Sequence, residues 1–177
     1  MASSKVNEDW LEEGSHLNNI SWMFLNSLYV TMYASFEHFL FKVAKIIEQH
    51  PETKIGLEYI GGHGILNKYI NYIHLVGGLS SVDRALAPWD KMPAYQSIRN
   101  YLVHNGGMMQ ENNNKDLEEH KYFKFLRDRN VAMAGSLGLI RICNTTMLKA
   151  FANDSTLITN NIAREFALKY ATVSAST

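Results

Sequence analysis

The sequence of 177 residues contains a single cysteine, Cys143, and only three prolines. One cysteine excludes an internal disulfide and any zinc site built from several cysteines, and it fits a reducing compartment. Lys and Arg together number 17, as do Asp and Glu, so the formal net charge is zero. We therefore do not expect binding to nucleic acid through bulk positive charge, and any contact with RNA or DNA has to be local.

The sequence also lacks an apolar run of the roughly 20 residues that a membrane-spanning helix requires. Its first residues, MASSKVNEDWLEEG, carry acids and no apolar segment of the kind found in a secretory signal. We therefore expect a cytoplasmic protein with no membrane partner. The histidines are too scattered to give the ligand spacing of a metal site, so neither a metal nor another cofactor is expected.

The composition is that of a folded protein, with 46% apolar and 19% charged residues. A chain of this length suits one domain, and we predict a single domain over 1–177 with its core at about 21–170. The ends, a lead-in before residue 21 and a tail after residue 170, are expected to fray. The predicted class is all-α, a four- to five-helix up-and-down bundle, with a small β-hairpin insertion left open.

Apolar residues recur at helical spacing in five segments, which are 21–50, 65–76, 90–107, 136–152 and 155–170. In the first segment, a stripe that steps by four residues from Phe24 through Leu28 to Phe36, and then continues to Ile47, is expected to face the core. A second apolar flank, at Tyr29, Tyr33 and Phe41, predicts that this helix is covered on more than one side. An amphipathic lead-in over 6–17 is expected to pack beside this helix. Turn-like residues at 128–130, between aromatic neighbours, indicate where a hairpin would turn. Cys143 is expected to face inward from the fourth helix.

The third helix carries a polar face of unusual composition. Gln96, Asn100 and His104 follow one another at two steps of four, and Arg99 lies beside this stripe. No carboxylate occurs in 91–110, so Arg99 has no acid partner in its own segment. A guanidinium without an acid is suited to bind phosphate, and a histidine transfers protons near neutral pH. Together they are the minimum for metal-free RNA cleavage, in which a base activates the ribose 2′-OH and a cation stabilises the phosphoryl group.

A structural interpretation of the same residues stays open. His104 in the last turn would favour the helix dipole as a cation. Arg99 could pair with Glu37 or another distant acid, and Asn100 could bond to a neighbouring backbone group. On an ideal helix Arg99 and His104 are about 140° apart, so they line one groove only if both side chains lean over Asn100. The spacing therefore favours a site completed by the same helix of a second chain.

The segment RNYLVH, residues 99–104, resembles the R-N-x-x-x-H signature of the HEPN ribonucleases (higher eukaryotes and prokaryotes nucleotide-binding domain). The context is similar as well, with a long first helix holding an internal Glu in YASFEHFLFKVAKII. A Trp-led helix, PWDKMPAYQSIRNYLVHNGG, carries the motif, and an amphipathic helix follows the polar loop after it. The resemblance covers about 21–151 and is firmest at 89–107.

This resemblance implies a helical bundle that forms a homodimer, in which two motif helices build one positively charged cleft. By position in the motif, His104 is the general acid or base, Arg99 binds the phosphate and stabilises the transition state, and Asn100 orients one of them. The family needs no metal. Its members often act as toxins or antiviral effectors that cut RNA, which implies an RNA substrate and an antitoxin or defence-complex partner.

Some HEPN toxins carry a Tyr two places after the motif His that a partner enzyme modifies, and this chain departs from that pattern at Gly106. Two other functions stay open for the same fold. One is a non-catalytic scaffold that binds a partner, and the other is an RNA- or nucleotide-sensing subunit of a defence complex.

Charge and aromatic content indicate further candidate residues for RNA binding and for support of the motif. A basic cluster interleaved with aromatic residues suits single-stranded RNA or, alternatively, a solvated face. Its members are Lys121, Lys124, Arg127 and Arg129. Gln96 is assigned to the same RNA-binding surface. Glu37, in an aromatic part of the first helix, either orients Arg99 or His104 or is a peripheral acid.

Overall fold

The computed structural model describes residues 2–62, 64–109, 117–135 and 138–170, with side chains described from residue 20 onward. The helices in this range are α1 (Ala2–Glu48), α2 (Ile65–Leu75), α3 (Met92–His104), α4 (Phe123–Arg127) and α5 (Thr146–Tyr170). Two antiparallel strands, β1 (Val131–Ala134) and β2 (Leu139–Ile142), form a hairpin before α5. The prediction of an all-α class with four to five helices and a small hairpin is confirmed for these residues.

Several predicted boundaries are wrong. The lead-in over 6–17 is not a separate helix, because the backbone of α1 runs unbroken through it. Residues 128–130, predicted as the hairpin turn, instead follow the end of α4. The hairpin turns later, after β1 and before β2, and the flanking Gly135 and Gly138 both have positive φ. The helix predicted over 136–152 begins only at Thr146 and continues without a break through the predicted fifth helix. Cys143, expected inside, is exposed. The predicted frayed tail lies outside the described residues.

The chain divides into two compact units, and their boundaries fall inside helices. Unit one comprises Met1–Thr31 and Ala94–Ala150, and unit two comprises Met32–Pro93 and Phe151–Thr177. Unit one therefore holds most of α3, together with α4 and the hairpin, whereas unit two holds α2 and most of α5. The single domain over 1–177 stays a prediction. Within the described residues, no helix has the length and apolar character needed to cross a membrane.

The buried face of α1 follows the predicted stripe in its second half and departs from it in the first. Leu40, Val43 and Ile47 are buried as predicted, whereas Phe24 is 64% and Leu28 37% exposed. From Phe24 to Phe36 the predicted stripe stepped by four residues at every turn, while a helix advances 3.6 residues per turn. The buried face there lies instead on the predicted second flank, at Tyr29 and Tyr33.

Large aromatic rings pack in unit two, and one carboxylate connects α5 to the loop after α2 by hydrogen bonds. The ring of Tyr33 stacks on Phe151, and Phe36 meets Phe151 edge-on, with centroids 5.7 and 6.0 Å apart. Glu165 of α5 accepts hydrogen bonds from the backbone N–H of Ser80 and of Ser81, both at 2.7 Å. Burial alone would raise the pKa of the Glu165 carboxyl, but hydrogen bonds from the two serines outweigh it and lower the pKa to about 2.

Unit one holds the C-terminal end of α3 against the hairpin. The helix closes where the N–H of Gly107 donates to Tyr101 O at 2.7 Å, a bond that requires the left-handed backbone of Gly106 (φ +58°). Glycine adopts this conformation without the steric cost that a Cβ would bring. The carbonyl of Gly107 then accepts from the N–H of Ile140 on β2 at 2.9 Å. The hairpin therefore fixes the end of the helix that carries the motif.

Candidate active site

Helix α3 has one buried side and one accessible side. Tyr95 and Ile98 are fully buried, and Tyr95 is held at its carbonyl by the hydroxyl of Tyr29, which donates at 2.8 Å. Asn100 and His104 are exposed, and Arg99 is half-buried. The apolar spacing of three and four residues predicts this division. The motif side chains are thereby presented on a rigid helix.

The three motif residues form one group of contacts within a single chain. Arg99 Nη1 donates to Asn100 Oδ1 at 3.1 Å and lies 3.2 Å from His104 Nε2. Arginine has no acceptor, so His104 Nε2 must be the acceptor and the ring proton must sit on Nδ1. The two side chains therefore meet despite their separation of about 140° on an ideal helix, which requires both to lean over Asn100. The helix geometry thus no longer favours a site completed by a second chain, and the homodimer stays a prediction.

No acid in the described part of unit one lies within ion-pair distance of Arg99. The Nε of Arg99 is buried and has no hydrogen-bond partner among the described residues. The described side chains of this unit include only three acids, which are Glu118, Glu119 and Asp128. They include seven strong bases, which are Arg99, Lys121, Lys124, Arg127, Arg129, Arg141 and Lys149. The described surface of unit one is thus locally basic around a guanidinium that none of its described acids pairs with.

The other acids of unit one belong to segments whose side chains the structure does not describe. Residues 1–19 and 110–116 contribute six acids and two lysines to the sequence of this unit. The positive balance is therefore a property of the described surface around α3, α4 and the hairpin, and not of the unit as a whole.

Two predicted helpers of the motif occupy different units. Gln96 is half-buried on α3, one turn before Asn100. Glu37 is half-buried on α1 in unit two, whereas the motif belongs to unit one. The predicted role of Glu37 toward Arg99 stays a prediction, as does the RNA contact assigned to Gln96.

The basic cluster lies on and around α4 and not on the hairpin. Lys121, Lys124 and Arg127 are exposed. Arg129 is half-buried, with its guanidinium 3.5 Å from the centroid of the Phe125 ring and its Nη1 donating to Phe125 O at 3.0 Å. Arg129 is thus engaged in closing the C-terminal end of α4. The RNA-binding role predicted for these four residues is not tested by their positions.

The motif helix has a second histidine beside it that the sequence did not reveal. Tyr101 Oη lies 3.1 Å from His120 Nε2, and His120 Nδ1 accepts from the N–H of Tyr122 at 3.2 Å. In the neutral ring Nε2 therefore carries the proton and donates to Tyr101. Burial lowers the pKa of His120, which favours this neutral form. The pair ties the segment before α4 to the motif helix.

A cavity of about 420 Å³ lies within unit one. Its lining residues come from α1, from the end of α3 and from β2, and they are Trp22, Asn26, Ser27, Val30, Thr31, Leu102, Gly106, Gly107 and Ile140. The guanidinium of Arg141 lies 5.0 Å from the centroid of the Trp22 ring. Sequence reasoning missed this site because it placed β2 inside a helix. The only available signal was the spacing of four between Trp22 and Asn26.

Among the described residues, no group of three or more His, Cys, Asp or Glu side chains is placed to hold a metal ion. Comparisons with family models, with curated proteins and with solved structures find no match to this chain. The fold and site define an all-α protein with an Arg–Asn–His group on one helix. The resemblance to HEPN ribonucleases rests on the sequence motif, and the activity that it implies is a proposal.

Proposed function

We propose that this protein is an endoribonuclease that cleaves RNA through attack of the ribose 2′-OH, without a metal. The observation that carries the proposal is the contact of Arg99 Nη1 with His104 Nε2 at 3.2 Å, on an accessible helix side with no acid of the described unit one beside the guanidinium. Metal independence and the reaction type come from the resemblance of residues 99–104 to the HEPN motif.

Arg99 and His104 have complementary roles in this reaction. A phosphate oxygen carries a negative charge and is a stronger acceptor for a guanidinium than a neutral imidazole. An incoming phosphodiester therefore draws Arg99 away from His104 Nε2 and leaves that nitrogen available. Asn100 Oδ1, which accepts from the same Nη1, keeps the guanidinium oriented during the exchange.

The chemical step then follows from this exchange. His104 Nε2 takes the proton of the 2′-OH, the 2′-oxygen bonds to phosphorus, and the bond from phosphorus to the 5′-oxygen breaks. The 5′-oxygen leaves with a proton from solvent, and a 2′,3′-cyclic phosphate remains. A positioned base contributes on the order of 10²–10⁴-fold, and Arg99 stabilises the charge that develops on the phosphoryl oxygens.

The proposal is tested with purified protein and single-stranded RNA in the presence of EDTA. We expect cleavage that leaves cyclic-phosphate or 3′-phosphate ends, and we expect His104→Ala to abolish it while circular dichroism shows an unchanged helix content. His38→Ala is the matched control, because His38 is exposed on α1 in unit two, beside the ring of Phe41. Equal cleavage by wild type and His104→Ala would identify a contaminating nuclease and overturn the proposal.

The cellular setting follows from the same resemblance. We propose a cytoplasmic toxin or antiviral-defence effector that works as a homodimer and is held in check by an antitoxin or defence-complex partner. Light scattering on the purified chain tests the dimer, and loss of cell viability on expression, relieved by Arg99→Ala, tests the toxin role. RNA binding without cleavage would instead favour the sensing subunit, and neither binding nor cleavage would favour the scaffold.

A further inference from the structure

We propose that the cavity of unit one binds an unstacked nucleobase of single-stranded RNA, and that Arg141 takes a phosphate next to that base. The proposal relies on the proposed function for its RNA. The residues that carry it are separate from the Arg99–Asn100–His104 group, so the two can fail independently.

The cavity has the size and position of a ligand site. Its volume of about 420 Å³ falls within the range of about 300–1,000 Å³ that is typical of small-molecule sites. Trp22 and Asn26 enter it from successive turns of α1, and Gly106 and Gly107 bring backbone without side chains to its edge. All of these residues belong to unit one.

The aromatic ring that lines this cavity also contacts a cation with no carboxylate partner in the described part of unit one. Trp22 lines it, and the guanidinium of Arg141 lies against the same indole at 5.0 Å. No carboxylate of the described unit one pairs with Arg141, and its buried Nε has no hydrogen-bond partner among the described residues. Indole rings stack on bases of any kind, and arginine supplies both a cation over the ring and a phosphate contact. This combination fits single-stranded RNA.

Asn26 adds a hydrogen-bond donor to the cavity. Its Oδ1 accepts from the N–H of Ile142 at 3.0 Å, which fixes the amide so that Nδ2 is left as the donor. Ser27 donates its hydroxyl proton to Met23 O at 2.9 Å and therefore offers a ligand only lone pairs. Every base carries an acceptor for this donor, a carbonyl oxygen in uracil, cytosine and guanine or a ring nitrogen in adenine, so Asn26 can hold a base in place without selecting its identity.

The cavity and the motif share the C-terminal end of α3. On an ideal helix Leu102, which lines the cavity, is about 200° from His104 but only about 60° from Arg99, so the cavity lies beside Arg99 and away from His104. Gly106, at this end of α3, is exposed, and a Cβ there would meet no atom within 4 Å. A strand that passes this open end places one base in the cavity and a phosphate further along at Arg99. The cavity therefore takes the base of a nucleotide near the cleaved bond and not the bond itself.

The test uses a short, fluorescein-labelled 2′-O-methyl oligouridine, which cannot be cleaved because it lacks a free 2′-OH. We expect Trp22→Leu to weaken its binding roughly tenfold by fluorescence anisotropy, and Trp22→Phe to retain most of it, since the ring is what stacks. Arg141→Gln should also weaken binding, whereas Arg164→Gln, an exposed arginine of α5 in unit two, should not. Equal affinity of wild type and a folded Trp22→Leu overturns the proposal.

Two further measurements keep the proposal testable if Trp22→Leu does not fold. In wild type, the oligouridine should shift the indole N–H resonance of Trp22, assigned by its loss in Trp22→Phe, and an unmoved resonance at saturation overturns the proposal. Asn26→Asp keeps the acceptor for Ile142 N–H but removes the donor, so it should weaken binding of the 2′-O-methyl oligouridine more than Asn153→Asp, which adds the same charge at an exposed position of α5. An equal effect of the two variants overturns the assignment of Asn26.

The outcomes separate this site from the nuclease. Binding that depends on Trp22, in a protein that cuts no RNA, supports the base site and removes the proposed cleavage. Cleavage that depends on His104, with binding and rate unchanged by Trp22→Leu, supports the nuclease and removes the base site.

Discussion

The guanidinium of Arg99 contacts the imidazole of His104, five residues further along α3, with Nη1 3.2 Å from Nε2. The same Nη1 donates to Asn100 Oδ1 at 3.1 Å. An arginine can approach a histidine in this way only while the accepting nitrogen is unprotonated, because arginine is a donor alone. The contact thus places the histidine nitrogen that a general base would use beside the cation that a phosphate needs.

Replacement of Arg99 by lysine tests whether the shape of the guanidinium matters and not only its charge. An ammonium cannot donate through several fixed nitrogens to Asn100 and a phosphate at once. We expect Arg99→Lys to lower kcat/KM for RNA cleavage about 100-fold, in line with the loss of one donor to the developing charge. Arg164→Lys on α5 is the control and should leave the rate unchanged. A fully active Arg99→Lys would contradict the assigned role.

Asn100→Asp tests whether RNA binding requires that no acid pairs with Arg99, as holds for the described residues of unit one. The new carboxylate would replace an oxygen that already lies 3.1 Å from Nη1 and would form an ion pair with it. We expect the affinity for uncleavable RNA to fall roughly tenfold, because the phosphate must compete with that ion pair. Asn153→Asp, an exposed position on α5 in unit two, changes the net charge equally and should alter the affinity little. Equal effects of the two variants would show that the loss of affinity comes from net charge alone and not from an ion pair with Arg99.

Lys124 tests the RNA-binding role of the basic cluster. It is exposed on α4, so its loss should not disturb packing. We expect Lys124→Ala to weaken RNA binding uniformly across sequences and to reduce the slope of log affinity against log salt by about one. The control is Lys54→Ala, an exposed lysine of unit two. An unchanged salt slope in Lys124→Ala would place Lys124 outside the RNA-binding surface.

Gly106→Ala tests the turn that ends the motif helix. Gly106 has φ +58°, a conformation that costs an L-residue about 1–2 kcal/mol. A Cβ there meets no atom within 4 Å, so the expected loss in free energy of unfolding comes from the backbone alone. Gly61→Ala is the matched control, because its Cβ also meets no atom within 4 Å and its φ is outside the positive region. Urea denaturation should show a loss for Gly106→Ala and almost none for Gly61→Ala.

Glu165 gives a dependence of stability on pH. The pKa of its carboxyl is lowered from 4.5 to about 2, so the stabilisation by the carboxylate is fully present above pH 4.5 and is lost as the pH falls toward about 2. Glu165→Gln should lower the free energy of unfolding by about 1–2 kcal/mol at neutral pH. The difference from wild type should shrink through this acidic window. A constant difference at all pH values would show that the charge of Glu165 is not what stabilises α5.

Local signals in the sequence were sufficient for α2 and for the motif helix. The segment predicted over 65–76 is observed as Ile65–Leu75, and α3 ends before Gly106 as predicted. Both depend on apolar spacing within one helix and on glycines directly after it, so no distant contact was needed. The Arg–Asn–His motif and its freedom from neighbouring acids are likewise visible in a stretch of about 20 residues.

The position of the hairpin was predicted wrongly from the sequence, because its strands are short and depend on hydrogen-bond partners far away in the chain. Four-residue strands carry almost no periodicity of their own. The N–H of Ile140 is satisfied by Gly107 O and that of Ile142 by Asn26 Oδ1, from segments far away in the sequence. The same long-range pairing brings Arg141 to Trp22 and creates the cavity.

The sequence by itself determined the helical class, the motif and the lack of a local acid for Arg99, because these follow from composition and from residues a few positions apart. Only the tertiary structure decided that Arg99 and His104 touch within one chain and that Arg141 lies against Trp22, which lines a cavity. Ideal helix geometry separates the first pair by about 140°, and only the actual side-chain conformations close that gap. The second pair is about 120 residues apart, and packing in three dimensions alone brings it together.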